Sequence, residues 1–354
     1  MTAQLSEPKP VAQPAAPSSV ASRLPGLVLC AIAAVVGLGV TKLVPAASPL
    51  LVAIILGVLA ANLHFLPPSR PGHLGLLRDH LRPGLAFASR PLLRVGVALL
   101  GLQLALTDVA ALGPGMLVVI VAVVTIGITA TMALGKLLKI GRTQRLLIAC
   151  GFSICGAAAV AAVEGVEDAD ETEVATAVGL VVVFGTLMIP TIPLLGRVLG
   201  LTELQTGLWA GASIHEVAQV VAAGGVIGAT ALGAAVVVKL GRVLMLAPVL
   251  AVLSVRKRRM LGDSADIKRP PLVPIFVLGF IALVLVRTTG VVPAEVVGGA
   301  KVVQTVLLAM AMFALGCGVR LAQVRSMGIR PMVLAAASTV IVVTTGLTGV
   351  LLVS

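Results

Sequence analysis

The chain of 354 residues has no tyrosine, a single tryptophan (Trp209) and seven phenylalanines, and only 11% of it is charged. So few rings leave little for bases to stack on, so the formal net charge of +12 does not point to a nucleic-acid partner. The same scarcity means that no aromatic belt marks a membrane interface. No G-x-x-x-x-G-K-[ST] phosphate loop is present, which argues against ATP-driven work by this chain alone. Cysteine is limited to Cys30, Cys150, Cys155 and Cys317, all inside apolar segments where a thiol packs like any small hydrophobe, and no structural disulfide is expected.

What the chain has in abundance is apolar sequence: 58% of residues, with a mean hydropathy of +1.13. A bilayer core of about 30 Å needs about 20 apolar residues per helix. Apolar runs near 25–44, 48–64, 86–107, 114–138, 144–163, 174–198, 205–225, 231–254, 272–289, 296–318 and 331–353 predict an all-α, polytopic membrane protein of about eleven spans. Residues 25–354 read as one transmembrane domain, preceded by a Pro-, Ala- and Ser-rich tail, 1–24, expected to be disordered and cytoplasmic. The basic gaps "PPSRPGHLGLLRDHLRPG", "KLLKIGRTQR", "RKRRMLGDSADIKR" and "RLAQVRSMGIR" are separated by even numbers of spans. All four then fall on the cytoplasmic side of the cell inner membrane, with the N-terminus inside and the C-terminus outside. The acidic gap "EGVEDADETE" (164–173) falls on the outer face in this topology.

Two stretches resemble each other. "GFSICGAAAVAAVEGV" (151–166) aligns with "GASIHEVAQVVAAGGV" (211–226), and a weaker match pairs "LGLQLALTDVAALG" (100–113) with "LGCGVRLAQVRSMG" (315–328). The weaker pair runs in opposite directions, as an inverted repeat requires, but the stronger pair runs parallel. Either one Gly-x-Ser-Ile segment is re-entrant, or the likeness reflects a shared local need.

Glycine loosens a membrane helix and serine is a favoured N-cap, so both Gly-x-Ser-Ile segments predict a helix that breaks and restarts. Ser213 and Glu216 have the S-x-x-E spacing of a capping box. Half-helices starting in mid-membrane would aim free N–H groups at an anion. The residues this assigns to substrate are Gly151, Ser153, Ile154, Cys155 and Gly156 in the first copy, and Gly211, Ser213 and Ile214 in the second. Glu216 is the one acidic residue well inside an apolar span, which makes it, with His215, the candidate for coupling; Gln219 is placed to orient either. Lys239 and Arg242, three residues apart in the next span, are expected to pair with Glu216 or hold an anion, and Arg94 is a third candidate cation. The bland alternatives are close helix packing for the small residues and a purely structural cap for Glu216.

"HEVAQ" (215–219) is one residue away from H-E-x-x-H, but Gln219 replaces the second histidine, and the remaining histidines cluster around one loop. No metal or other cofactor is expected.

The segments "GFSICGAAAV", "EVATAVGLVVVFGT", "GASIHEVAQVVAAG", "KLGRVLMLAP" and "RVGVALLGLQL" resemble the YeiH-like family of bacterial inner-membrane proteins, labelled sulfate exporters. The resemblance covers most of residues 85–320. It implies an inverted-repeat transporter fold, similar to bile-acid and sodium–proton antiporters, with broken helices crossing at mid-membrane. The expected function is secondary transport of a small anion, proton- or cation-coupled, with the lipid bilayer and the anion as partners and homo-oligomerisation left open. The rival readings are an intramembrane metal-dependent hydrolase using HEVAQ and a passive anion channel.

Overall fold

A computed structural model describes residues 20–43, 49–62, 73–167, 169–261, 274–319 and 328–354. Residues 1–19 of the expected tail, and most of the second member of the weaker repeat, lie outside the described residues; Val20 already belongs to the first helix.

The described residues are helical, with no strand among them. In chain order the helices are α1 (Val20–Leu43), α2 (Pro49–Asn62), α3 (His73–Phe87), α4 (Leu93–Leu99), α5 (Leu106–Ala111), α6 (Gly113–Leu137), α7 (Arg142–Ser153), α8 (Ala157–Glu164), α9 (Glu171–Val198), α10 (Glu203–Ser213), α11 (Val217–Ile227), α12 (Ala229–Leu244), α13 (Leu246–Leu261), α14 (Ile275–Thr288), α15 (Ala294–Gly318) and α16 (Ile329–Val353). A π-helical turn, Ala88–Leu92, joins α3 to α4. It contains Pro91, whose missing N–H makes a local departure from the α ladder cheap. Several starts follow from sequence. Thr202 and Gln205 close a reciprocal capping box on α10, the Gln205 N–H reaching Thr202 Oγ1 at 3.2 Å and the Thr202 N–H reaching Gln205 Oε1 at 3.0 Å.

Among the described residues, seven helical runs are long and apolar enough to cross a membrane: Val20–Leu43, His80–Gln103, Gly113–Leu137, Thr172–Val198, Ala229–Met260, Ala294–Gly318 and Ile329–Val353. Each of the eleven apolar runs has a helical counterpart, but two of them turn back. Arg142, at the start of α7, lies 3.5 Å from Glu167, just past the end of α8, so both ends of the α7–α8 pair sit at one face of the molecule. Likewise Glu203, at the start of α10, accepts the N–H groups of Thr230 and Ala231, just past the end of α11, at 2.9 and 3.2 Å. Both Gly-x-Ser-Ile segments are therefore re-entrant hairpins.

Helix contacts fix the two faces. Lys257, at the far end of α13, donates to Val166 O at 2.7 Å; Asn62 donates to Val319 O at 2.9 Å, and Val319 lies 3.3 Å from where a Cβ on Gly179, in the first third of α9, would stand, which puts these residues with Arg142 and 164–167 toward a first face. The Leu106 N–H donates to Thr288 Oγ1 at 2.9 Å, and a side chain on Gly115 would meet Val353, at the opposite, second face. The first hairpin opens on the first face, α9 runs between the faces, and the second hairpin opens on the second. The acidic 164–167 turn thus lies beside the basic Arg142 and Lys257, not across the membrane from them. The expected outer placement of 164–173 is wrong because the first hairpin does not cross. The parallel running of the stronger repeat disappears with it, since hairpins entering from opposite faces run antiparallel.

The helices sort into two bundles, α1–α4 with α14 and α15, and α6–α12 with α16, packed mainly among themselves. Small residues set the closest approaches in the first: a Cβ on Gly57 of α2 would come within 2.2 Å of Phe313 O, and one on Gly316 of α15 within 2.4 Å of Ile54 O.

Candidate functional site

The tips of the two hairpins meet in the interior of the second bundle. α7 ends at Ser153 and α8 begins after Gly156; α10 ends at Ser213 and α11 begins after Glu216. The breaks fall where Gly-x-Ser-Ile predicts them, but the serines close the first half-helix of each pair rather than cap the second. Ser153 and Ser213 are fully buried, and neither hydroxyl has a hydrogen-bond partner. Each lies against a glycine of a neighbouring long helix: a Cβ on Gly127 of α6 would sit 2.4 Å from Ser153 Oγ, and one on Gly346 of α16 would sit 2.8 Å from Ser213 Oγ. The two copies thus match in surroundings as well as in sequence.

The N-caps are Gly156 and Glu216, which occupy equivalent places in the repeat. Gly156 adopts φ +76°, where a side chain is strained, and a Cβ there would also stand 2.3 Å from Glu216 Cγ. The carboxylate of one copy fills the space that the other copy leaves empty, and Glu216 Oε1 accepts the Ala157 N–H, the first of α8, at 3.1 Å. An acid at a helix N-terminus faces the positive end of the dipole. The S-x-x-E capping box is replaced by one a turn later: Gln219 Oε1 accepts the Glu216 N–H at 3.1 Å. Gln219 also packs on α9, where a Cβ on Gly185 would lie 2.0 Å from Gln219 Oε1.

Lys239 and Arg242, both wholly buried on α12, do not pair with Glu216; they bind the carboxyl ends of the half-helices. Lys239 Nζ donates to Ile154 O (2.9 Å), Ile214 O (2.8 Å) and His215 O (2.6 Å). Three acceptors round one nitrogen require three N–H bonds, which only the ammonium form has. Arg242 reaches Phe152 O and Ser153 O at the end of α7 and Gly211 O, Ala212 O and Ile214 O at the end of α10, at 2.8 to 3.3 Å. These are the orphan carbonyls that every helix end exposes. Lipid offers no water to satisfy them, so two cations on one helix face do so for both hairpins at once. Gly211 admits α12 to this distance: a Cβ there would be 2.4 Å from Ala235 O. Within the first hairpin, Gly151 O accepts the Gly156 N–H at 2.8 Å, and Cys155 is buried beside the break.

His215, the counterpart of Cys155, bridges three elements. Its Nδ1 is 3.1 Å from Phe152 O and its Nε2 3.1 Å from Thr339 Oγ1 on α16, with the ring tilted on that of Phe152 at 4.4 Å between centroids. A carbonyl can only accept, so Nδ1 carries a proton; Nε2 faces a hydroxyl that can either donate or accept. Phe152 and Thr339 escaped sequence reasoning. The pair Ser338–Thr339, polar inside an apolar run, was the available signal, and Ser338 is bonded to Thr131 of α6 at 2.8 Å.

Arg94 is not part of the crossing. It lies on α4 in the first bundle, its guanidinium 5.9 Å from the centroid of the Phe276 ring and close to Gly165, just past the end of α8.

A family model described as Conserved hypothetical protein 698 matches residues 25–335. The chain belongs to this family. A UPF0324 membrane protein of Corynebacterium glutamicum is 51% identical over 328 residues, covering 93% of this chain and 92% of the relative. Another, of Bacteroides thetaiotaomicron, is 36% identical over 297 residues (81% and 84%), and one of Bradyrhizobium diazoefficiens is 34% identical over 325 residues (89% of each). The Conserved hypothetical protein 698 match takes in both hairpins, Lys239 and Arg242, and accords with the YeiH-like resemblance. No solved structure matches the chain.

Proposed function

We propose that the chain is a secondary transporter of a small anion, working by movement of the two bundles against each other. The observation that carries this reading is the crossing itself: two hairpins that enter from opposite faces and end in a buried polar cluster. Its charge balance favours an anion. The two half-helix carboxyl ends and the two amino ends carry about half a charge each and cancel. Lys239 and Arg242 against Glu216 then leave an excess of about one positive charge in a medium that tolerates little. The sulfate label of the YeiH-like family names a substrate of this class, and we adopt sulfate as the first anion to test. Glu216 and His215 are the coupling groups. A carboxylate beside an anion site is compatible with anion entry mainly in its protonated form, which links anion and proton movement.

Two observations favour transport over a hydrolase built on HEVAQ. His215 is turned to Phe152 and Thr339 while Glu216 is turned to Ala157, so the two do not share one target. Among the described residues, no three His, Cys, Asp or Glu side chains gather as metal ligands would. We place the first, basic face in the cytoplasm, following the positive-inside rule.

The test is flux in proteoliposomes. An imposed pH gradient should drive uphill movement of sulfate, or of sulfite, thiosulfate, taurine or a small carboxylate, and Glu216→Gln should abolish that coupling. Flux that only ever runs downhill would make the protein a channel, and unaltered uphill flux in Glu216→Gln would remove Glu216 from the mechanism.

A further inference from the structure

Resting on the transport reading, we infer that Arg90 and Glu164 form a latch between the two bundles that holds the first face closed over the crossing. Arg90 belongs to the π-helical turn between α3 and α4, in the first bundle, and its guanidinium pairs with the carboxylate of Glu164, the last residue of α8, in the second. Arg94, four residues on along the same helical run, lies over the next residue, Gly165. Two cations of one bundle therefore face a carboxylate and the negative end of α8 in the other. The pair is only partly covered by the protein, the Arg90 side chain being 48% exposed and that of Glu164 12%. Such a contact can break and re-form at little cost, unlike the wholly buried Lys239 and Arg242.

The turn at 164–167 is also tied to α7 and α13. Glu167 pairs with Arg142 of α7, and Val166 O takes the Lys257 ammonium of α13. Breaking the Arg90 pair therefore removes a polar tie between the bundles without touching these contacts of the hairpin. Cys155 lies at the tip of that hairpin, 5% exposed, so its thiol reports whether the first face has opened down to the crossing.

The experiment uses the full chain in membrane vesicles with the first face outward. A membrane-impermeant thiol reagent is applied, and modification of Cys155 is followed by mass spectrometry, which separates it from Cys30, Cys150 and Cys317. Arg90→Gln and Glu164→Gln should each raise the rate of Cys155 modification several-fold, and the exchanged pair Arg90→Glu with Glu164→Arg should bring it back toward the parent rate. An unchanged rate in both single variants, or an exchanged pair no slower than the singles, overturns the latch. The readout needs no substrate. If labelling follows the expected pattern while no anion is moved, the latch stands and the transport reading fails; if flux is found with labelling unchanged, the reverse holds.

Discussion

At the scale of single residues, the crossing is dominated by two cations whose partners are main-chain oxygens. Nine contacts of hydrogen-bond length run from Lys239 and Arg242 to carbonyls near the ends of α7 and α10, and Ile214 O receives one from each. Removing one cation strands several buried acceptors and the negative ends of two helices, for which about 3–5 kcal/mol is the usual scale. Lys239→Met and Arg242→Met should both lower the thermal unfolding midpoint of the purified protein by many degrees. Arg242→Lys should recover little, since a single ammonium cannot span the five carbonyl oxygens that the guanidinium fork reaches. A midpoint within a degree or two of the parent in Arg242→Met would show that these contacts are dispensable for the fold and leave their role to substrate alone.

At the scale of elements, the two hairpins explain what could be read from the sequence and what could not. The breaks were legible because glycine and serine interrupt apolar runs next to the only deeply placed carboxylate. The return of the chain was not. α7 has 12 residues and α8 has 8, and together they match one span in length and hydropathy; at about 1.5 Å per residue each alone reaches only part-way across. Composition cannot tell one long traverse from two short ones. Mistaking both hairpins for spans left the faces of Arg142, Arg145 and 256–259 and of the C-terminus unchanged relative to one another, because the two errors cancel. It displaced only what lies between them, notably 164–173. The serine roles failed for a related reason: a capping residue and a closing residue look alike until the direction of the next half-helix is known. Labelling of single cysteines introduced at surface positions tests the hairpins directly. Ala169→Cys and Arg259→Cys should react from one side of the membrane, and Leu199→Cys and Val291→Cys from the other. Reaction of positions 169 and 259 from opposite sides would make the first hairpin a true span.

At the scale of the whole molecule, an inverted pair of hairpins sits in a chain whose charge is not inverted. The crossing is nearly symmetric: Gly127 and Gly346 flank the two serines, Lys239 binds Ile154 and Ile214, and Arg242 binds the ends of both α7 and α10. The faces are not alike. The first carries Arg142, Arg145, Arg256, Lys257, Arg258 and Arg259, while the second has Lys42, Arg197 and Arg287 near it. Moving the acidic turn to the basic face does not reverse this, since lysine and arginine set orientation and acidic residues contribute little. A symmetric core could work in either orientation; the basic loops are what select one. Alkaline phosphatase fused after Ser354 should therefore be active outside the cytoplasm, and a green fluorescent protein in the same place should be dark. Replacing Arg256, Arg258 and Arg259 together by Gln should weaken that bias and yield a mixed population. Full phosphatase inactivity in the parent fusion would turn the molecule over, and with it the side from which the Arg90–Glu164 latch opens.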